Sequence, residues 1–216
     1  MKDFLLILIA TIILIIAINN LNHSNIKKQN SISGIDKTYI SEPIQTKSSG
    51  EKEKMNINGI NLEIEKVYSY EITGQVVKTY EYKEYYTGNK TYNTIASKDV
   101  GIVWGDLVKE ENQEKINFEM RGGRFLRWQI NDRNWLSKIG GLSSIGNLIS
   151  NNHLITNDEK ILSLIGEIEE GDFIRIKGYL VNVYGDKFKL MTSTSRNDTM
   201  DGACEVILVE DIKWIN

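Results

Sequence analysis

The chain has 216 residues, 41% hydrophobic and 25% charged, with a formal net charge of −3. Residues 56–216 hold 19 Lys/Arg against 24 Asp/Glu. That acidic balance argues against a nucleic-acid partner, because phosphate-backbone binding draws on clustered positive charge. A single cysteine, Cys204, excludes an internal disulfide framework.

Residues 4–18 (FLLILIATIILIIAI) form an unbroken apolar run behind Met1, Lys2 and Asp3. A spanning helix needs roughly 17–25 apolar residues, and residues 1–21 reach this length if Asn19 and Asn20 lie at the interface. A cleaved secretory signal is the second reading, but no small-residue cleavage pattern follows Ala17. A buried helix of a soluble protein is the third, and the run has no polar face to support it. Residues 1–21 therefore read as a transmembrane signal-anchor. Lys2 on one flank and Lys27 and Lys28 on the other leave the charge rule undecided. The short tail before a large C-terminal domain is the layout that exports the domain. The sequence thus predicts a single-pass protein of the bacterial cytoplasmic membrane, with its C-terminal domain outside the cytoplasm.

Residues 22–55 are rich in Asn, Ser, Lys and Glu and include the only proline, Pro43. Such a stretch buries little apolar surface and reads as a polar flexible linker. Residues 56–216 suit one β-rich domain. Tyr68, Tyr70, Ile72, Gly74 and Val76 share one parity, which predicts a long half-buried strand bent at Gly74. Residues 101–106 and 124–130 read as shorter strands, and residues 137–149 as a loop with a possible short helix. Asp158 can cap a helix over 158–168, where Ile161, Leu164, Ile165 and Ile168 recur at helical spacing. Residues 172–183 alternate into a hairpin turn at Tyr184-Gly185-Asp186, followed by a strand from Phe188. Residues 204–212 are apolar on both parities and read as a central strand with Val206 and Leu208 buried. Strands, one helix, then more strands is the order of a small, partly open barrel of the oligonucleotide/oligosaccharide-binding type, whose helix falls between its third and fourth strands.

Three clusters could carry chemistry. Ser150-Asn151-Asn152-His153 places amides beside a titratable imidazole; the plain alternative is a turn capping the helix that follows. Cys204 with His153 could form a thiolate–imidazole pair that attacks a carbonyl, whereas a Cys opening an apolar strand is more often packing. A sulfur more than about 6 Å from the imidazole, with Cys204 buried, would end the enzyme reading. Arg196, Asp198 and Asp201 precede Gly202 in a segment that could offer oxygen ligands, but the spacing is not that of a calcium loop. A turn held by an Arg196–Asp198 pair and Asx bonds is simpler, so neither a metal nor a cofactor is expected. Arg121, Arg124 and Arg127 near Phe125, Trp128 and Trp135 form the one basic, aromatic-rich patch, suited to an anion or a stacked sugar or simply to an exposed sheet face.

The blocks S-N-N-H-L-I at 150–155, G-D at 171–172 with G-Y-L-V at 178–181, and T-S-T-S-R-x-D-T-x-x-G-A-C-E at 192–205 resemble a family of uncharacterised bacterial membrane-anchored envelope proteins. Val103-Trp104-Gly105 also matches. The resemblance implies one N-terminal membrane segment and one domain of this size, and brings no activity with it. Met200 stands where the family pattern tends to have Gly, at odds with a tight positive-φ turn there.

Two function classes follow. The first is a membrane-tethered extracytoplasmic binding module, anchored through its N-terminal helix, whose Asn151, Asn152, His153, Arg196, Asp198 and Asp201 recognise an unknown envelope ligand or protein. The second is an envelope hydrolase or transferase using Cys204 and His153. Both place residues 150–153 beside 196–205, with Asn152 or His153 hydrogen-bonded across.

Overall fold

The computed structural model describes residues 2–38, 40–82, 90–121, 125–195 and 204–216. Helix α1 (Lys2–Gln29) is followed by β1 (Ser31–Ile32), β2 (Ile44–Lys47), β3 (Lys52–Ile57) and the 22-residue β4 (Ile60–Glu81). Then come α2 (Lys90–Ile95), β5 (Lys98–Val103), a 3-10 turn at Gly105–Val108, α3 (Glu110–Gln113), β6 (Ile116–Arg121) and β7 (Phe125–Ile130). Two short helices, α4 (Arg133–Lys138) and α5 (Leu142–Gly146), lead into β8 (Ile149–Ile155), and α6 (Glu159–Gly166) into β9 (Phe173–Gly185), β10 (Phe188–Leu190) and β11 (Cys204–Ile215).

Five strands close a barrel-like ring of hydrogen bonds. β4 pairs β5, β5 pairs β8, β8 pairs β11 in parallel, and β11 and β9 return antiparallel to β4. Helix α6 lies between the third and fourth of these in chain order. This is the mainly β fold expected, a small partly open ring of the oligonucleotide/oligosaccharide-binding type with α6 in the inserted position. The short helices α2 to α4, between the earlier ring strands, were not expected, and α5 falls in the stretch read as a loop with a possible short helix.

β4 exchanges partners along its length. Residues 63–75 pair β9 and residues 75–81 pair β5, with register shifts between Lys66 and Tyr68 and between Val76 and Lys78. Gly74 sits at the exchange because a Cβ there would lie 2.4 Å from the Val103 carbonyl oxygen. Gly178 has the same role between β9 and β11, where a Cβ would stand 2.0 Å from the Leu208 oxygen.

The ring encloses one core and carries a second on its outer side. Ile72, Val100, Ile102, Leu154, Ile176, Leu180 and Ile207 meet inside, closed by Ile165 and Ile168 at α6. Leu62, Ile64, Ile155, Val183, Val206 and Leu208 meet outside, beneath Tyr92 and Ile95 of α2. Side chains alternate across a strand, so β11 sends Ile207 and Val209 to one core and Val206 and Leu208 to the other. That is why it is apolar on both parities. Val206 and Leu208 are buried as expected.

Three sequence expectations change. Residues 150–155 are not a turn: they lie within β8, in the centre of the sheet. Their polar side chains hid the strand because each finds a partner beside it rather than water. α1 continues to Gln29, beyond the apolar run. Within the stretch read as linker, β1 pairs β11, while β2 and β3 pair β4. The β3–β4 hairpin turns at Asn58 (φ 50°) and Gly59 (φ 84°), a dipeptide suited to two successive positive φ values. α1 is long and apolar enough to cross a membrane.

Candidate functional site

Alternation places Asp99 of β5, Asn151 and His153 of β8, and Cys204 of β11 on one face, beside the outer core. Asp99 stands opposite His153 in the antiparallel β5–β8 pair, and Cys204 opposite Asn151 in the parallel β8–β11 pair. His153 therefore sits between a carboxylate and a thiol, each supplied by a neighbouring strand. The start of β11 is itself clamped. Ser193 N donates to the Cys204 carbonyl at 2.8 Å, and Val206 N donates to Thr192 Oγ1 at 3.0 Å.

His153 Nδ1 lies 2.8 Å from Asp99 Oδ1, an ion-pair contact that is off the direction of a well-formed hydrogen bond. The Cys204 thiol hydrogen-bonds the imidazole, and Asn151 Nδ2 donates to Cys204 Sγ at 3.1 Å. Cys204 is in no disulfide and is half-buried rather than buried, so the condition that would have ended the enzyme reading is not met.

Asp99 and His153 are 0% and 2% exposed. A carboxylate so deep needs several donors, and Asp99 has them. The Tyr82 hydroxyl donates a short bond to Oδ2, and Tyr92 Oη stands 3.4 Å from Oδ1. Burial, followed by the Asp99 charge, holds the Tyr82 phenol far above its usual range, so it remains a donor. The Tyr92 ring meets the imidazole edge to face, centroids 5.3 Å apart, which fixes the ring plane. Burial disfavours the imidazolium, but the Asp99 charge and the contacts with Asp99 and Cys204 outweigh it and raise His153 to about 9.

The opposite face of the same strands carries a different group. Ser150 Oγ lies 2.8 Å from both Glu205 Oε2 and Asn152 Oδ1, and Asn152 Nδ2 donates to the Val100 carbonyl at 3.1 Å. These bonds join β5, β8 and β11 in a buried interior, so Asn152 is committed to structure. The expected adjacency of 150–153 with the C-terminal block holds at Cys204 and Glu205, through paired strands rather than loops.

Arg196, Asp198 and Asp201 lie outside the described residues. Of the basic patch, Arg124 and the Arg121 side chain lie outside the described residues, and β7 separates the rest. Trp128 and Trp135 pack against the main core, and Trp135 Nε1 donates to Asn112 Oδ1 at 2.8 Å. Phe125 and Arg127 share the exposed face. No group of three or more His, Cys, Asp or Glu suited to a metal occurs among the described residues.

Sequence reading missed Asp99, Tyr82 and Tyr92. One signal was present: Lys98-Asp99 opens an apolar strand, and charges taken into a sheet require named partners. The order thiol, imidazole, carboxylate, with the carboxylate on Nδ1, is that of a nucleophile with its base and the group that orients the base. No protein-family model matches the chain, and neither a curated protein nor a solved structure matches it.

Proposed function

We propose that this domain is a thiol-dependent acyl hydrolase or transferase of the bacterial envelope, held at the membrane by α1 with the domain outside the cytoplasm. The observation that carries the reading is the contact series Cys204–His153–Asp99, built across three adjacent strands and backed by Tyr82 and Tyr92. In the proposed cycle the Cys204 proton resides on His153, whose imidazolium Asp99 holds, and the thiolate sulfur bonds to an acyl carbon as the carbonyl electron pair moves onto oxygen. Asn151 Nδ2, already beside the sulfur, is the side-chain donor available to the oxygen that gains charge. The imidazolium then protonates the leaving group as its bond to the acyl carbon breaks. Water or an acceptor nucleophile attacks the resulting thioester and gives its proton to His153, the bond from sulfur to the acyl carbon breaks, and the thiolate and imidazolium are restored. Asp99 stabilises the imidazolium and orients the ring without taking the proton.

The tethered binding module has less support. Asn152 is turned into the ring, while Asn151 and His153 both serve the sulfur.

Labelling of Cys204 by iodoacetamide and acylation by p-nitrophenyl acetate, both read by intact mass, test the proposal. The folded wild type should acquire one acetyl group at Cys204. His153→Ala should slow acylation by roughly 10²–10⁴, the usual contribution of a positioned base, and Asp99→Asn should slow it less. A native thiol that reacts no faster than that of the urea-unfolded chain overturns the reading.

A further inference from the structure

The membrane helix does not end in open solvent. Lys27 Nζ lies 2.6 Å from Glu169 Oε2 and 3.0 Å from Asp172, and His23 Nδ1 contacts the Glu167 carboxylate. Trp214 N donates to the Asn30 carbonyl at 2.9 Å, just beyond the helix. Between this last stretch of α1 and the domain is a cleft of about 650 Å³. Asn20, Ser24 and Lys28 line it from the helix, and Lys37 and Phe173 from the domain side.

Charge in the cleft is unevenly satisfied. Glu169 and Asp172 both hold Lys27, and Asp172 also accepts from Trp214 Nε1 at 2.9 Å. Among the described residues no carboxylate pairs with Lys28 or Lys37; Lys37 Nζ lies 5.1 Å from the centre of the Phe173 ring. Two cations therefore face the cleft with hydroxyl and amide donors between them, and its two side-chain carboxylates, Glu169 and Asp172, are already engaged by Lys27.

The depth of the cleft is set by the helix. At 1.5 Å per residue, a hydrocarbon core of about 30 Å entered at Phe4 is crossed in about 20 residues, which ends near Ser24. The cleft thus opens at headgroup level. Below it Ile16, Ile18 and Leu21 are 53%, 48% and 65% exposed, an apolar flank along which acyl chains can lie.

We propose that this cleft binds the headgroup of an anionic phospholipid, its phosphate between Lys28 and Lys37 and its chains along α1. A zwitterionic headgroup fits less well, because the side-chain carboxylates there are already held by Lys27 and its ammonium would face Lys28 and Lys37. The proposal rests on α1 remaining in the bilayer and is independent of the thiol site.

The test is native mass spectrometry of the full chain purified into detergent and offered equal phosphatidylglycerol and phosphatidylcholine. Wild type should retain phosphatidylglycerol preferentially. The Lys28→Gln/Lys37→Gln variant should lose roughly thirtyfold of that preference, two surface lysines contributing about 1 kcal/mol each. Unchanged circular dichroism and Cys204 labelling should show that the variant is folded. Equal retention of both lipids by wild type, or a preference that survives the double substitution, overturns the proposal. Displacement of the lipid by millimolar inorganic phosphate overturns it too, and assigns the cleft to a free anion.

Discussion

Raising the pH from 6.5 to 9 should destabilise the domain through His153. The imidazole titrates at 6.5 in an exposed chain and at about 9 in the fold, where burial opposes the charged form but Asp99 and Cys204 prevail. A folded value above the unfolded one means that the stabilisation is fully present below pH 6.5 and is lost as pH rises through 9. The interval corresponds to about 3 kcal/mol. For a domain of this size that is a fall in Tm of roughly 6–12 °C. Thermal unfolding of the full chain in detergent, followed by tryptophan fluorescence from buried Trp104 and Trp214, reads it directly. His153→Gln removes the titrating group and should flatten the slope between pH 6.5 and 9. Asp99→Asn removes the charge that holds the imidazolium and should do the same. Parallel slopes in wild type and His153→Gln would refute the reasoning, because the pH dependence would then belong to other groups.

Leu208→Ala should cost about 2–5 kcal/mol in chemical denaturation, through lost burial and a cavity in the outer core; a loss under 1 kcal/mol would mean that core is loosely packed. The full-length chain should remain with membranes after carbonate and high-salt washes, and alkaline phosphatase fused after Asn216 should be active. A mature N-terminus between residues 17 and 30 would contradict the retained anchor, and an inactive fusion would reverse the orientation.

Elements whose partners are apolar were legible. Alternation gave β4 and β9. The 3–4 spacing gave α6, and Asp158 caps it as expected, Oδ1 accepting from Lys160 N at 2.7 Å and Ile161 N at 3.3 Å. Two-sided hydrophobicity gave β11. Elements whose partners are polar and distant in sequence were not legible. Ser150, Asn152 and His153 resemble a turn until Glu205, Val100 and Asp99 stand beside them. His23 and Lys27 resemble a linker until Glu167, Glu169 and Asp172 meet them. The Cys204–His153 half of the site could be named from residue types alone, but its carboxylate could not, because only the β5–β8 register brings Asp99 to the ring. Asn58-Gly59 is a different case: the dipeptide is a hairpin signal, but the sequence reading passed over it and took residues up to 55 as linker.

Lys98 and Asp99 are adjacent in β5, so they leave it on opposite faces. Lys98 Nζ donates to the carbonyls of Gly166 and Ile168, each at 2.9 Å, at the end of α6, and lies 2.9 Å from Glu81. Asp99 turns outward to His153 and the two tyrosines. If β5 slipped by one residue during assembly, the two charges would trade places. An ammonium would meet the imidazolium, and a carboxylate would meet the helix-end carbonyls. Like would face like on both sides of the sheet. The native alignment of β5 is thus the one that satisfies both charges of this dipeptide, and a slip by one residue forfeits the contacts on both faces together.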